Sequence, residues 1–535
     1  MMAASVTSTA DLLLRCEDSG LAPKYVCSSE PGKPEVVVPI TSDGRDIFVV
    51  SDLHLASGRG RDGRYDGCEN FFFDASFRRF LERAHESLDS RKAILIINGD
   101  FVDFLRVTYV PGGERGLTKW RKFLRRMKLS RRSKRIRSLA SEHRHTFEKE
   151  FEEWRRVLER IGIHRSVESL INSVSDREEI YGLETDDYKS VLKLAVVLAG
   201  HSEFFDALTE WLGSGHRIII VKGNHDLEWY WLAIRNNLRM DLAERLADRS
   251  ALPLDEVLKV TVLPNLTFID QSMIVDGDFY IEHGHRYDPL TRVIGADTVN
   301  EGRELNIPFG SFINRYLLNF IEKRYSFIDN VRPAENILPL MLRHRFVAGL
   351  KLLISHLATI IKTVPRQYVL FIFGRNLIIR VLIMLFVIVV PPFFLIWYQV
   401  GHEEHRIVRI VQWAAWLALT YGVIQLLAHA QLKEPDSLAS VAREKFASNE
   451  RYRLITFGHT HNPDQFEERR RWFYNTGTWI PIVETTAADI RSENTFMFLH
   501  LVSNASGRLE PGILQHWDDA AGRPEPMVLI RGVES

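Results

Sequence analysis

Five short blocks along the chain concentrate side chains that bind metals or move protons. Ser-Asp-Leu-His-Leu carries Asp52 and His54, Asn-Gly-Asp-Phe-Val-Asp carries Asp100 and Asp103, and Lys-Gly-Asn-His-Asp carries Asn224 and His225. Glu-His-Gly-His supplies His283 and His285, and Phe-Gly-His-Thr-His-Asn supplies His459 and His461. Carboxylate, imidazole and amide oxygen together suit borderline divalent ions such as Mn, Fe, Zn or Ni. In Asp-x-His and His-x-His the side chains at i and i+2 leave an extended backbone in the same general direction, so both can reach one cluster. One carboxylate shared by two cations ~3.5–4 Å apart suits in-line displacement at phosphorus. Any single block reads as a surface pair or a turn. Five in series, each closing a β-like run, are read here as one site for two divalent metal ions.

The runs that must position these blocks are short, apolar and closed by Gly, Asp or Asn. They span Asp46 to Val50, Ala93 to Ile97, Arg217 to Val221, Phe279 to Glu282, Arg453 to Phe457 and Trp472 to Tyr474. That pattern predicts buried strands. Open α/β sheets place their ligand sites at the C-terminal ends of such strands.

The chain has 535 residues, of which 45% are hydrophobic and 26% charged, values that exclude wholesale disorder and fibrous repeats. Sixty-nine Lys and Arg balance sixty-nine Asp and Glu, which disfavours a dedicated nucleic-acid binder and makes any basic footprint local. One such footprint, Arg115 to Arg137, holds twelve basic residues and no acid. It reads either as a solvated helix face or as a contact for anionic lipid headgroups or a phosphorylated substrate. Cys16, Cys27 and Cys68 are too few and too scattered for a disulfide framework or a cysteine zinc site, which fits a reducing compartment. Met1 to Leu14 lacks the basic start and apolar core of a signal peptide. A loosely ordered arm is expected there, with the ordered domain beginning near Asp46.

Two uncharged stretches, Val381 to Tyr398 and Ile410 to Ala428, flank a short polar link. Each is long enough to cross a bilayer at 1.5 Å per residue, and Trp397, Tyr398, Trp413 and Trp416 lie near the link as interfacial aromatics do. The expectation is a two-helix transmembrane hairpin, the competing reading being a very apolar buried helical pair or a re-entrant loop. Arg366, Arg375, Arg380 and Lys433 flank the pair and favour cytoplasmic ends. The chain is thus expected in the membrane as a multi-pass protein with a cytoplasmic catalytic domain.

The five blocks resemble the calcineurin-like metallophosphoesterase superfamily, whose pattern runs Asp-x-His, Gly-Asp, Gly-Asn-His-Asp/Glu, His, Gly-His-x-His in this order. The likeness covers roughly 46–103, 201–290 and 450–500. It implies a four-layer α/β/β/α sandwich with a binuclear centre at the strand ends. It further implies that Asp52, His54 and His461 bind one metal, that Asn224, His283 and His459 bind the other, and that Asp100 bridges them. A metal-bridging hydroxide would attack phosphorus. His225 would be a non-ligand histidine that protonates the leaving oxygen or stabilises charge on it, with Asp103 orienting it. Asp103 has a plainer alternative as a helix cap. His285 stays open between a ligand replacing His283, a supporting group and a substrate contact. Gly-Asp-Phe-Val-Asp-Phe lacks the Arg-Gly of protein Ser/Thr phosphatases, which disfavours protein dephosphorylation. The blocks look most like the UDP-2,3-diacylglucosamine pyrophosphatase branch, whose members cleave a nucleotide–lipid pyrophosphate at the cytoplasmic membrane face.

The fold class expected is therefore α/β, a metallophosphoesterase sandwich with a helical insertion and the transmembrane hairpin. Its divisions are an arm at 1–45, core segments at 46–103, 201–290 and 433–503, a basic and acidic helical insertion at 104–200, a helical connector at 291–375, the hairpin at 376–432 and a tail at 504–535. The activity expected is metal-dependent hydrolysis of a phosphodiester, pyrophosphate or phosphomonoester on a membrane-associated, lipid-linked molecule. A nuclease and a non-catalytic membrane scaffold are the alternatives, nucleic acid being the less favoured partner.

Overall fold

Phe48 and Val50 of the Asp46–Val50 strand join one apolar cluster, and Ile47 and Val49 join another. Leu95 and Ile97 alternate with Ile94 and Ile96 in the same way, as do Ile218 and Ile220 with Ile219 and Val221. This two-residue period, apolar on both faces, defines a sheet covered from both sides. A computed structural model of the chain carries it, describing residues 8–27, 36–60, 62–65, 68–113, 117, 148–319, 331–332, 390–396, 398–399, 406–429, 437–485 and 490–527. The chain forms two compact units, one of Met1–Ile360 with Leu438–Ser535 and one of Ile361–Ser437.

In the first unit, Asp46–Val50, Ala93–Asn98, Arg217–Val221 and Leu266–Ile269 lie side by side in parallel. Met497–Leu501 adds antiparallel to Asp46–Val50, followed by Leu514–Asp518 and Arg523–Pro526, making seven strands. A second sheet of six runs in the order Val37–Ile40, Ser272–Val275, Phe279–Glu282, Leu454–Phe457, Arg471–Asn475, Asp464–Glu468. Within it Phe279–Glu282, Leu454–Phe457 and Arg471–Asn475 are parallel. Met273, Val275, Phe279, Ile281 and Leu454 meet Ile47, Val49, Ile94 and Ile96 in the cluster between the sheets. On the far face Tyr280, Ile455, Phe457 and Phe473 pack against Leu438, Val441, Ala442 and Phe446 of the helix Leu438–Ser448. Helices Asp74–Glu86, Asp187–Gly200, Ser202–Gly213 and Leu232–Arg249 cover the outer face of the seven-stranded sheet. The layers are helices, sheet, sheet, helix. Each buried aliphatic side chain contributes ~1.5–3 kcal/mol, so this core can carry several strained loop residues at ~1–3 kcal/mol each.

Three expectations change. The arm is fastened down rather than loose: Ser8 caps the helix Thr9–Arg15, Leu12, Leu13 and Cys16 are buried, and Glu17 pairs with Arg235 and Arg239. The tail supplies the two outer strands Leu514–Asp518 and Arg523–Pro526. The transmembrane hairpin does not stand, because among the described residues no helix is long and apolar enough to cross a membrane. Of its first stretch only 390–396 and 398 fall among those residues. Its second, the helix Arg406–His429, begins with Arg406 and Arg409 and carries Gln412, Thr420 and Gln425 along its length. Gln399 donates to Gln412 (2.8 Å) and accepts from the Trp413 indole (3.4 Å), so the run is free of charge without being free of polar groups. The multi-pass membrane localisation inferred from the hairpin is corrected with it. The basic run Arg115 to Arg137 lies outside the described residues save Leu117, as does most of the connector beyond 319.

Candidate metal centre

The parallel strands of the two sheets end along one edge, and the chain beyond them stays knitted together. Asp52 N–H donates to Gly99 O (3.1 Å), His54 N–H to Asp100 O (2.9 Å) and Leu55 N–H to Phe101 O (3.0 Å), while Asp103 N–H returns to Leu55 O (2.8 Å). The second sheet does the same where Gly458 N–H donates to His283 O (2.9 Å). One side chain joins the sheets, His459 N–H donating to Asp52 Oδ2 (3.0 Å), and another joins neighbouring loops of the seven-stranded sheet, His225 N–H donating to Asp100 Oδ1 (2.9 Å). Asp52, His54, Asp100, His459 and His461 all take positive φ, at 53°, 50°, 49°, 68° and 59°. Left-handed backbone costs ~1–3 kcal/mol at each such residue and persists only where the surroundings over-determine it, typically at functional sites. Gly223 is required for space: a Cβ there would stand 2.2 Å from Asp100 Oδ1.

Nine of the ten candidate residues are drawn into three overlapping groups or their immediate neighbours. Asp52, His54 and His461 form one, His54, Asp100 and His225 a second, and Asp100, His283 and His459 a third, each with its ligand atoms within 4.8 Å of one another. His54 Nε2 lies 3.0 Å from His461 Nε2, 3.8 Å from Asp100 Oδ2 and 3.9 Å from Asp52 Oδ1. His461 Nε2 lies 3.3 Å from Asp52 Oδ1, and His283 Nε2 3.2 Å from Asp100 Oδ2. Asp100 thus belongs to two groups. Asn224 is buried between Gly223 and His225, its main-chain oxygen accepting from Ser311 Oγ (3.3 Å).

These donors fit a cation. His54 Nδ1 faces Asp103 Oδ2 (3.3 Å) and His283 Nδ1 faces the main-chain oxygen of Asn98 (2.8 Å). Those oxygens accept only, so Nδ1 carries the hydrogen and the Nε2 lone pair turns inward. There it meets carboxylate oxygens and another imidazole, acceptor against acceptor, which positive charge must reconcile. Asp52 Oδ1, Asn224 Oδ1 and His283 Nε2 are buried with no hydrogen-bond partner among the described residues. Orphaned buried acceptors cost ~1–3 kcal/mol each, and divalent ions would satisfy all three.

His225 Nδ1 lies 2.9 Å from Asp103 Oδ2. Burial alone would lower this imidazole, but the Asp103 and Asp100 carboxylates outweigh it and push its pKa up to about 9. Asp103 itself is buried; that opposes ionisation, and His225, His54 and Arg106 (Nε at 3.0 Å) hold it ionised all the same. Its other oxygen accepts the Arg106 N–H (3.3 Å), closing a turn over residues 103–106 rather than capping a helix, alongside the imidazole contact.

His285 joins none of the three groups. Its ring stands 5.5 Å from that of His283 and 6.4 Å from that of His459, buried with no hydrogen-bond partner for Nδ1 among the described residues. Burial first, and then the neighbouring His283 and His459 rings, drive its pKa well below the ordinary value. Three supports went unrecognised in the sequence. Asp288 Oδ2 and Thr291 Oγ1 lie 3.5 Å and 3.3 Å from His459 Nε2, and Asp288 closes the His-Gly-His-Arg-Tyr-Asp block. Asp226 accepts from Gly223 N–H (2.6 Å), Phe101 N–H (2.8 Å) and the Trp229 indole (3.0 Å), tying the Asp100 loop to the Asn224 loop. Burial, with the Asp100 charge behind it, raises the Asp226 pKa to about 7.

No protein-family model matches the chain, and no curated protein matches it.

Proposed function

We propose that the chain is a phosphoesterase of the calcineurin-like metallophosphoesterase type, using two divalent cations to hydrolyse a phosphodiester, pyrophosphate or phosphomonoester. What carries the reading is the set of buried acceptors turned on one another around Asp100. Asp52, His54 and His461 would hold one cation and Asn224, His283 and His459 the other, with Asp100 shared. Bound there, the pair would supply Lewis acidity toward a phosphoryl oxygen and lower the pKa of water for attack on phosphorus. The chain does the rest. His54 and His283 keep their inward lone pairs because Asp103 and Asn98 fix the opposite nitrogens. His225, held as imidazolium by Asp103, gives its proton to the departing oxygen. The lipid-linked substrate expected earlier drew its weight from the hairpin and is not carried forward.

The test is turnover by the Mn-loaded full chain on a panel of aryl phosphodiester, nucleotide pyrophosphate, aryl phosphomonoester and single-stranded DNA. Release of product from one of the first three, lost in Asp100→Asn, supports the proposal. Cleavage of DNA alone replaces it with the nuclease reading. No turnover and no bound metal leave a scaffold.

A further inference from the structure

Glu69 is a buried carboxylate, 2% exposed, with an unusual set of partners. Its Oε1 accepts the main-chain N–H of Ala56 (3.2 Å), Asn70 (3.0 Å) and Phe71 (2.9 Å). Its Oε2 accepts the N–H of Gly58 (2.6 Å) and faces His201 Nε2 (3.2 Å). The His201 ring is wholly buried, and its Nδ1 lies 2.9 Å from Asp74 Oδ1. With a carboxylate on each nitrogen, both nitrogens carry hydrogen and the ring is an imidazolium. It sits at the junction of the helices Asp187–Gly200 and Ser202–Gly213, so the opposed helix dipoles offset there and the two carboxylates set its charge. The main chain itself touches here: Arg59 N–H donates to Gly200 O (3.0 Å), and a Cβ on Gly200 would stand 2.0 Å from Ser57 O.

The segment so clamped, 56–59, begins two residues beyond His54. Asp52 and His54 are left-handed, with φ of 53° and 50°. The main chain of Asp52, His54 and Leu55 is held from the neighbouring loop by hydrogen bonds to Gly99, Asp100 and Phe101. Strain of this kind needs anchoring on both sides, or the backbone relaxes and the side chains swing away. Beyond Leu55, Glu69 anchors the chain at Ala56 and Gly58, and His201 with Asp74 fixes Glu69.

We propose that Glu69 and His201 are positioning residues that hold Asp52 and His54 in their strained conformation, so that the cation held by Asp52, His54 and His461 binds tightly while the one held by Asn224, His283 and His459 does not depend on them. The proposal rests on the two-cation reading above. Neither residue touches a cation or substrate; both act through the backbone of Ala56 and Gly58. Supports one step behind metal ligands commonly change metal affinity 10–100-fold. About tenfold is expected for Glu69 and His201, which stand a step further back.

The experiment is isothermal titration of Mn²⁺ into the full chain, for wild type, Glu69→Gln, His201→Gln and a packing control, Phe77→Leu, chosen because Phe77 is a buried apolar side chain of the same cluster with no polar group to donate or accept. Two sites in wild type, one of them weakened about tenfold in Glu69→Gln and His201→Gln with the other unmoved, and neither moved in Phe77→Leu, is the expected result. Should Glu69→Gln fail to fold, His201→Gln decides. Two unmoved sites in the variants, or equal weakening of both sites, overturns the positioning role while leaving the two-cation reading intact. No Mn²⁺ bound by folded wild type overturns both, and the failing part is then plainly the site itself.

Discussion

Raising the pH from 6 to 10 should cost this protein stability through one imidazole. His201 is enclosed by Glu69 on one nitrogen and Asp74 on the other, with the Phe71 ring at 5.8 Å. Burial alone would lower its pKa, but the Glu69 and Asp74 carboxylates outweigh burial and push it up to about 9. In the unfolded chain it returns to ~6.5. The folded state therefore holds this proton more tightly than the unfolded state. The resulting stabilisation is complete below ~6.5, drains away as pH climbs toward about 9, and is gone above it. At ~1.4 kcal/mol per pH unit, the gap between about 9 and ~6.5 amounts to about 3 kcal/mol.

The measurement is urea unfolding of the full chain followed by tryptophan fluorescence, at pH steps from 6 to 10, for wild type and His201→Gln. Groups remote from residue 201 titrate alike in both chains, so the difference between the two unfolding free energies reports His201 together with the Glu69 and Asp74 carboxylates it touches. That difference should fall by about 3 kcal/mol across the range. Parallel curves, with a constant offset at every pH, would refute the assignment of a buried imidazolium between two carboxylates.

Three further outcomes follow from the same geometry. Mn²⁺ at ~100 times its dissociation constant should stabilise the wild type by about 2.7 kcal/mol per site in thermal melts; an equal shift in Asp100→Asn would remove Asp100 from the centre. Gly223→Ala puts a methyl group 2.2 Å from Asp100 Oδ1, so Mn²⁺ binding should weaken more than ~10-fold with the far-ultraviolet circular dichroism unchanged. Unaltered binding there would show that the Asp100 loop can shift freely. His225→Ala should lower kcat about 10²–10⁴-fold with two Mn²⁺ still bound. Loss of a metal instead would make His225 a ligand, as its membership of a group with His54 and Asp100 permits.

What could be read in the sequence, and what could not, divides along a physical line. The strands Asp46–Val50, Arg217–Val221 and Phe279–Glu282 are legible to the residue because alternation and a closing polar block are local properties. The ligand-type residues are legible for the same reason, each block standing within four residues of the strand that carries it. The stretch Ile410 to Ala428 misleads because absence of charge is not absence of polarity: Gln412, Thr420 and Gln425 are spread along the helix. The N-terminal helix was illegible because its anchor is Glu17 against Arg235 and Arg239, about two hundred residues away by sequence.

Glu69 was illegible for a deeper reason. Four of its five partners are main-chain N–H groups, which every residue but proline provides, and the fifth is a histidine 132 positions further on. A side chain that binds a cation must be one of a few types, and types can be read. A side chain that pins backbone leaves no trace in the residues it pins. The strained φ of His54 is the only local sign that something pins it, and it appears only in three dimensions. Chemistry-bearing residues can therefore be named from sequence, whereas the residues that hold them to their geometry have to be found by asking, at each left-handed ligand, what keeps the backbone from relaxing.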